Sequence, residues 1–307
     1  MRRVSFFIIL VVFVSPVMRA QSPIRAEQYY RDGIAKKAKG DLDGAIADYT
    51  KAIELNPRYA AAYVNRGVAR KTKGDLDGAI ADYDRAISLN PRLKEAYNNR
   101  GLARQLKGQL DEAIADFDKA LEFDPHYAGA HYNRASAARA KGDLKTAIAE
   151  LTRAIESPDN DHLSETYNNR GTIRHDDGDT QGSLADFTTA IEIDPRNVFA
   201  YVNRGYALIL LGKDDEAQRD FDQVLKLNPT LQPEVDATIK KAKQERAAKK
   251  GVTFLRAQPN NSLDASGTSA LVIDNLSVTQ LLPAASTQTL CRSNADPFRN
   301  CRRRPSD

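Results

Sequence analysis

Four histidines, two cysteines and a recurring set of arginines, asparagines and acids are the side chains of this 307-residue sequence that could carry chemistry. His126 and His131 lie near Asp124 and could begin a metal site, but they fall across a loop and a helix start with no third convergent ligand. His175 beside Asp176 and Asp177 reads as an exposed turn. No GxxxxGK phosphate loop occurs and no cysteine precedes Cys291, so the sequence offers no catalytic residue, no metal site and no cofactor site. Cys291 and Cys301 could close a disulfide in an oxidising compartment or be an incidental pair, and their spacing alone decides neither.

What remains is a chemistry of recognition. AYVNRG ends at Gly67, AYNNRG at Gly101, AHYNRA at Ala135, TYNNRG at Gly171 and AYVNRG at Gly205, whereas the first copy, YYRDG ending at Gly33, lacks both Asn and Arg. An acid accompanies every copy, at Asp48, Asp82, Asp116, Glu150, Asp186 and Asp220, so six acids face five arginines. If each arginine reaches back to the preceding copy, the ion pairs are Arg66–Asp48, Arg100–Asp82, Arg134–Asp116, Arg170–Glu150 and Arg204–Asp186. That scheme lets Asp32 replace the first arginine and leaves Asp220 to whatever follows; acids of this kind are seldom buried without a partner. Asn65, Asn99, Asn133, Asn169 and Asn203 stand one residue earlier and so about 100° around a helix. Their amides could donate to and accept from the backbone of an extended peptide, or bond their own neighbours.

Positioning these ladders requires a repeat. Gly33, Gly67 and Gly101 are 34 residues apart, Ala135 holds the next place, and Gly171 and Gly205 resume the period after a two-residue delay. The small residues Ala45, Ala79, Ala113, Ala147, Ser183 and Ala217 keep step, as do Tyr49, Tyr83, Phe117, Leu151, Phe187 and Phe221. Apolar residues recurring three and four apart on either side of turns such as KGDLDGA predict two helices per copy. The turn glycines suit a left-handed helix end, the Asp that follows caps the next helix, and an Asn-Pro or Asp-Pro pair stops it.

This pattern of Tyr, Gly, Ala, Tyr/Phe, Ala and Pro at a 34-residue period resembles the tetratricopeptide repeat family. The resemblance implies an all-α, right-handed superhelical solenoid of six units: 26–59, 60–93, 94–127, 128–163, 164–197 and 198–229. A capping helix over 230–250 follows, with Val235, Ile239 and Ala242 as its apolar stripe, then a low-complexity tail over 251–307. The fourth unit departs most, with His131 and Ala135 at signature sites and the loop SPDNDH after it, which predicts a hinge there. The family is a non-catalytic scaffold whose function lies on its concave surface. The asparagine ladder is similar to the peptide-contacting asparagines of O-linked N-acetylglucosamine transferase repeats. The family's chaperone-tail clamp is not matched, because Ile34, Val68 and Leu102 stand where its second Asn would be.

First helices carry most of the cations, among them Lys36, Lys37, Arg70, Lys71, Lys73, Arg104, Lys107, Arg139 and Arg174, which predicts either a net-basic groove or a solvated face. A groove lined by the five asparagines with Lys37, Lys71 and Arg139 would take a protein or extended peptide, preferably acidic, with Val64, Val68, Leu102, Tyr132, Val202, Tyr206 and Ile209 adding apolar contact. A formal net charge of only +4 gives no reason to expect nucleic acid. Arg2 and Arg3 before the apolar run Val4 to Val14 resemble a signal peptide over 1–20, with an uncleaved anchor the weaker reading for so short a run, which predicts export to the periplasm or beyond and no stable membrane insertion after cleavage. A peptide-binding scaffold is therefore the leading expectation, and a regulatory or targeting subunit of a cell-envelope enzyme complex the alternative.

Overall fold

The structure, a computed structural model, describes residues 16–256, with side chains from Ile24 to Lys249. The apolar run Val4 to Val14, most of the tail and the pair Cys291 and Cys301 lie outside the described residues. Helices follow one another as antiparallel pairs: α1 (Pro16–Ala38) with α2 (Leu42–Leu55), α3 (Ala60–Thr72) with α4 (Leu76–Leu89), and α5 (Lys94–Leu106) with α6 (Leu110–Phe123). Then come α7 (Ala128–Ala140) with α8 (Leu144–Glu156), α9 (Leu163–Asp176) with α10 (Thr180–Ile193), and α11 (Val198–Leu210) with α12 (Asp214–Leu227). A short 3-10 turn, Pro229–Leu231, leads into α13 (Gln232–Arg256), and the described residues contain no strand.

Each pair turns on a glycine. Gly40, Gly74, Gly108, Gly142, Gly178 and Gly212 all have φ between 78° and 90°, a region that a Cβ makes costly. The next residue opens the second helix: Asp41, Asp75, Asp143 and Asp179 accept hydrogen bonds of 2.8–3.0 Å from the backbone N–H three residues on, satisfying a donor that the helix leaves free. A methyl group on Gly74 would meet nothing within 4 Å, so Gly74→Ala isolates the backbone term. It should cost about 1 kcal/mol in urea denaturation; a variant as stable as the parent would show that the turn adopts another conformation.

Within a pair, the helices approach most closely where a glycine meets a ring. A Cβ on Gly67 would lie 2.6 Å from Tyr83, and one on Gly101 2.6 Å from Phe117, so the ring packs directly on the backbone of the facing helix. Alanines 45, 52, 79, 86, 113 and 120, all fully buried, bring the rest of the surfaces together.

The chain divides into two compact units, one ending at Asp124 and one beginning at Pro125. The first contains α1–α6 and the second α7–α13. In the second unit, Val235 and Ala242 of α13 are buried against Val202, Tyr206, Ile209 and Phe221, with Ile239 packed beside them. Arg246 locks this helix by donating to Ile209 O (3.0 Å) and Asp214 (2.8 Å).

The loop after α8 is not built as a hinge. Asn160 Nδ2 donates to Ala154 O (2.8 Å) and Thr166 Oγ1 (3.2 Å), and Asp159 accepts from Ala128 N (3.2 Å), which fills the free N-terminal N–H of α7. Insertion of two residues is absorbed by local capping, and the division between units falls earlier, at Pro125.

Candidate functional site on the first-helix faces

In the first unit the expected groove residues meet one another across neighbouring first helices. Asn65 donates to Tyr30 OH (2.9 Å) and Ala61 O (3.2 Å) and accepts from Lys37 Nζ (3.0 Å). Both amide hydrogens and one acceptor direction are thereby used within the protein, as the neighbour-bonding alternative required. Asn99 is buried, as are Asn98 beside it and Lys71. Along α5, Asn99, Leu102 and Leu106 follow at intervals that keep one helix face, passing from buried through half-buried to 65% exposed. Ile34 and Val68, one period apart and one period before Leu102, are half-buried in the same way.

The second unit repeats the arrangement with other partners. Asn169 donates to Tyr132 OH (2.6 Å), while Asn203 donates to Asn168 Oδ1 (2.9 Å) and Thr172 Oγ1 (3.4 Å). Asn133 is half-buried on α7. Tyr30 and Asn168, not anticipated as site residues, and Tyr132, expected as an apolar contact, stand one residue before the asparagine position and present the partner from the preceding repeat. The 34-residue spacing of Tyr30, Val64, Asn98 and Tyr132 was the available signal. Arg139 bonds Asp176 at 2.7 Å. Val202, Tyr206 and Ile209, expected to line the groove, are instead buried beneath α13, and Tyr206 OH donates to Glu245. His175 is not an exposed turn: its ring meets Tyr206 edge-on at 5.6 Å, and burial pushes its imidazole below the usual histidine range against the opposing charges of Glu245 and Asp176.

No cluster of three or more metal-ligating side chains occurs among the described residues, and no helix there is long and apolar enough to cross a membrane. Tetratricopeptide repeat profiles match residues 33–74, 69–108, 95–127, 128–161, 164–197 and 198–231. The chain belongs to the tetratricopeptide repeat family. Among solved structures it resembles YrrB, described as a tetratricopeptide repeat protein with an unusual peptide-binding site, at 26% identity and TM-score 0.50, over 63% of this chain and 97% of that one. It also resembles pilF of Pseudomonas aeruginosa (15% identity, TM-score 0.60, 75% and 99% covered) and the Cut9–Hcn1 assembly of the APC/C (15%, 0.61, 74% and 44%), which share the fold. Among curated protein sequences none matches.

The ion pairs of these tetratricopeptide repeats run within each repeat, not back to the preceding one. Arg66 pairs with Asp82 rather than Asp48 (2.6 Å), Arg100 with Asp116 rather than Asp82 (2.6 Å), and Arg134 with Glu150 rather than Asp116 (2.6 Å). Arg170 pairs with Asp186 rather than Glu150, and Arg204 with Asp220 rather than Asp186, both at 2.7 Å. The cause is the glycine–ring contact: each arginine precedes the contact glycine and each acid precedes the ring, so the closest approach of the two helices brings them together. One guanidinium nitrogen does reach back, to Thr50 from Arg66, Asp84 from Arg100, Thr152 from Arg170 and Thr188 from Arg204. Asp48 is met by Lys36 at 2.6 Å, so the first repeat supplies its cation from one turn further along α1 although Asp32 stands in the arginine place.

The same geometry corrects the expectation of a net-basic groove. Lys36, Arg70, Arg104 and Arg174 lie one turn beyond the arginine position, so they point to the buried acids Asp48, Asp82, Asp116 and Asp186. Lys73 and Lys107 pair with Asp43 and Asp77 of the preceding second helices. Of the cations assigned to the groove, Lys37, Lys71 and Arg139 are the ones whose register keeps them on the asparagine side, where Lys37 meets Asn65 and Arg139 meets Asp176.

Proposed function

We propose that this protein is a non-catalytic scaffold that binds an extended segment of another protein along its first-helix faces. The observation that carries the reading is the stripe Asn99, Leu102 and Leu106, in which an aliphatic side chain stays 65% exposed on the same helix face as a buried amide. Ile34 and Val68 extend the half-buried aliphatic row over the first unit. An extended ligand would place apolar side chains on this row. Asn65 and Asn99 would hold the first helices of the first unit at a fixed spacing and offer remaining acceptor capacity to its backbone. Lys37 and Lys71 would favour an acidic residue in the ligand, with weak salt dependence because most first-helix cations are already paired. The peptide-binding site reported for YrrB supports the same class of function.

A photo-crosslinking residue at Leu106, with one at exposed Arg85 on α4 as control, tests the surface directly. An adduct from Leu106 alone is expected. With that partner purified, Leu106→Asp should weaken binding about tenfold, equivalent to about 1.4 kcal/mol; unchanged affinity with intact circular dichroism would remove this face from the site. Export is part of the proposal, supported by Arg2, Arg3 and the run Val4 to Val14. Fractionation that finds the full-length chain in the cytosol would overturn it.

A further inference from the structure

We propose that the C-terminal half of α13 is a second binding surface, which lies on the headgroups of a bilayer containing anionic phospholipid. Charge separates along this helix. Residues 232–239 carry two acids, Glu234 and Asp236, and no cation, whereas residues 240–256 carry seven cations and one acid, Glu245, a balance of +6 (7 − 1). The whole chain sums to only +4, so the remainder is net acidic (4 − 6) and the positive charge is gathered here.

The helix is longer than its seat requires. Val235, Thr238, Ala242 and Glu245 follow at intervals of three and four and form the seat on α11: the first three are buried, and Glu245 accepts from Tyr206 OH. Arg246 adds its bonds to Ile209 O and Asp214. The next residue of that register, Lys249, is exposed, as are Ala247 and Ala248, and the helix continues to Arg256. Packing on α11 therefore accounts for α13 as far as Arg246 and gives no reason for the ten residues beyond it (256 − 246).

On the side opposite the seat, Lys240, Lys243 and Ala247 are exposed, again three and four residues apart, and the same register passes in the sequence through Lys250 and Phe254. Asp214 is taken by Arg246 and Glu245 by Lys249, while Asp215, which lines one shallow groove with Lys243, is a single acid against the three lysines of the stripe. Five of the seven cations are lysines, whose point charges suit a diffuse anionic surface. A basic helix that runs on into Val252, Phe254 and Leu255 has the composition of one that lies in a membrane interface, its ammonium groups among lipid phosphates and its apolar residues at the acyl boundary. A nucleic acid would use the charge but not those apolar residues. The contact is peripheral, since no helix among the described residues is long and apolar enough to cross a bilayer.

The test uses the full chain with vesicles of phosphatidylcholine alone or mixed in equal parts with phosphatidylglycerol. Cosedimentation is expected with the mixed vesicles only, and is lost as salt shortens the Debye length from about 10 Å at about 0.1 M to about 3 Å at about 1 M. Lys240→Gln/Lys243→Gln/Lys250→Gln should weaken it at least tenfold, each cation being worth about fivefold at such a surface. Lys51→Gln/Arg85→Gln/Lys119→Gln, which removes the same charge from exposed positions on α2, α4 and α6, should leave it unchanged. The chain has no tryptophan, so Phe254→Trp reports one position; its emission should move to shorter wavelength on mixed vesicles and stay in place with a DNA duplex. Equal sedimentation with neutral vesicles, as the apolar run Val4 to Val14 would give, equal loss in the two triple variants, or a tryptophan that responds to the duplex and not to the vesicles overturns the proposal.

Discussion

Replacing Arg100 and Arg104 together by Met is expected to destabilise the first unit by about 3–5 kcal/mol, seen as a loss of stability in urea denaturation followed by far-ultraviolet circular dichroism. Asp116 is 3% exposed and accepts from Arg100 Nε at 3.0 Å, Arg100 Nη2 at 2.6 Å and Arg104 Nη1 at 2.7 Å. Methionine keeps much of the arginine stem volume, so the change removes charge and hydrogen bonds while retaining packing. It leaves a carboxylate in the gap between α5 and α6 with neither guanidinium to meet it. Stacking of Arg100 over Tyr97 (5.4 Å) and its bond to Asp84 are lost too. The reverse change, Asp116→Leu, should cost less, about 1–2 kcal/mol, because the two freed guanidiniums lie near the surface and can turn to water. A double-arginine variant within 1 kcal/mol of the parent, or an order of effects opposite to this one, would refute the assignment of the buried acid as the costly member of the network.

The helices, the glycine turns, the Asp caps and the proline stops were legible in the sequence because each rests on local backbone chemistry repeated at a fixed period. The ion-pair register was not read correctly, although the sequence held a discriminating signal. Within a repeat, arginine and acid are always 16 residues apart, as in Arg66–Asp82 and Arg170–Asp186. The reach-back scheme needs 18 residues for Arg66 and Asp48 (66 − 48) but 20 for Arg170 and Glu150 (170 − 150), because the inserted loop falls between them. A packing contact keeps its spacing when an insertion lies outside it. Asp32 misled because the first repeat solves its charge problem with Lys36, one turn further along α1. The asparagines were placed on the right helices, but which amide atoms are already used depends on Tyr30, Tyr132 and Asn168 of the preceding repeat, and a single-repeat pattern does not contain that relation. Likewise, His131 looked like an incomplete metal ligand, whereas its partner lies 19 residues away on α8.

The fourth repeat also supplies the logic of the last prediction. Gly101→Ala places a methyl group 2.6 Å from Phe117 Cε1, and Phe117 is fully buried, so the ring has no free volume into which to retreat. Overpacking of this kind should destabilise by about 1–3 kcal/mol. The natural chain shows the compensated form: where Ala135 replaces the glycine, Leu151 replaces the aromatic ring, and both are buried in one cluster. A leucine is shorter across the gap than a phenyl ring, so it leaves room for the extra methyl. Phe117→Leu alone removes ring contacts and should itself cost about 1 kcal/mol. Combined with Gly101→Ala, it should cost less than the sum of the two single changes, with a favourable coupling of about 1 kcal/mol in a double-mutant cycle measured by urea denaturation. Strict additivity would mean that the glycine and the ring do not share the contact that sets the helix–helix distance, and the explanation of the arginine–acid register, which depends on that contact, would fall with it.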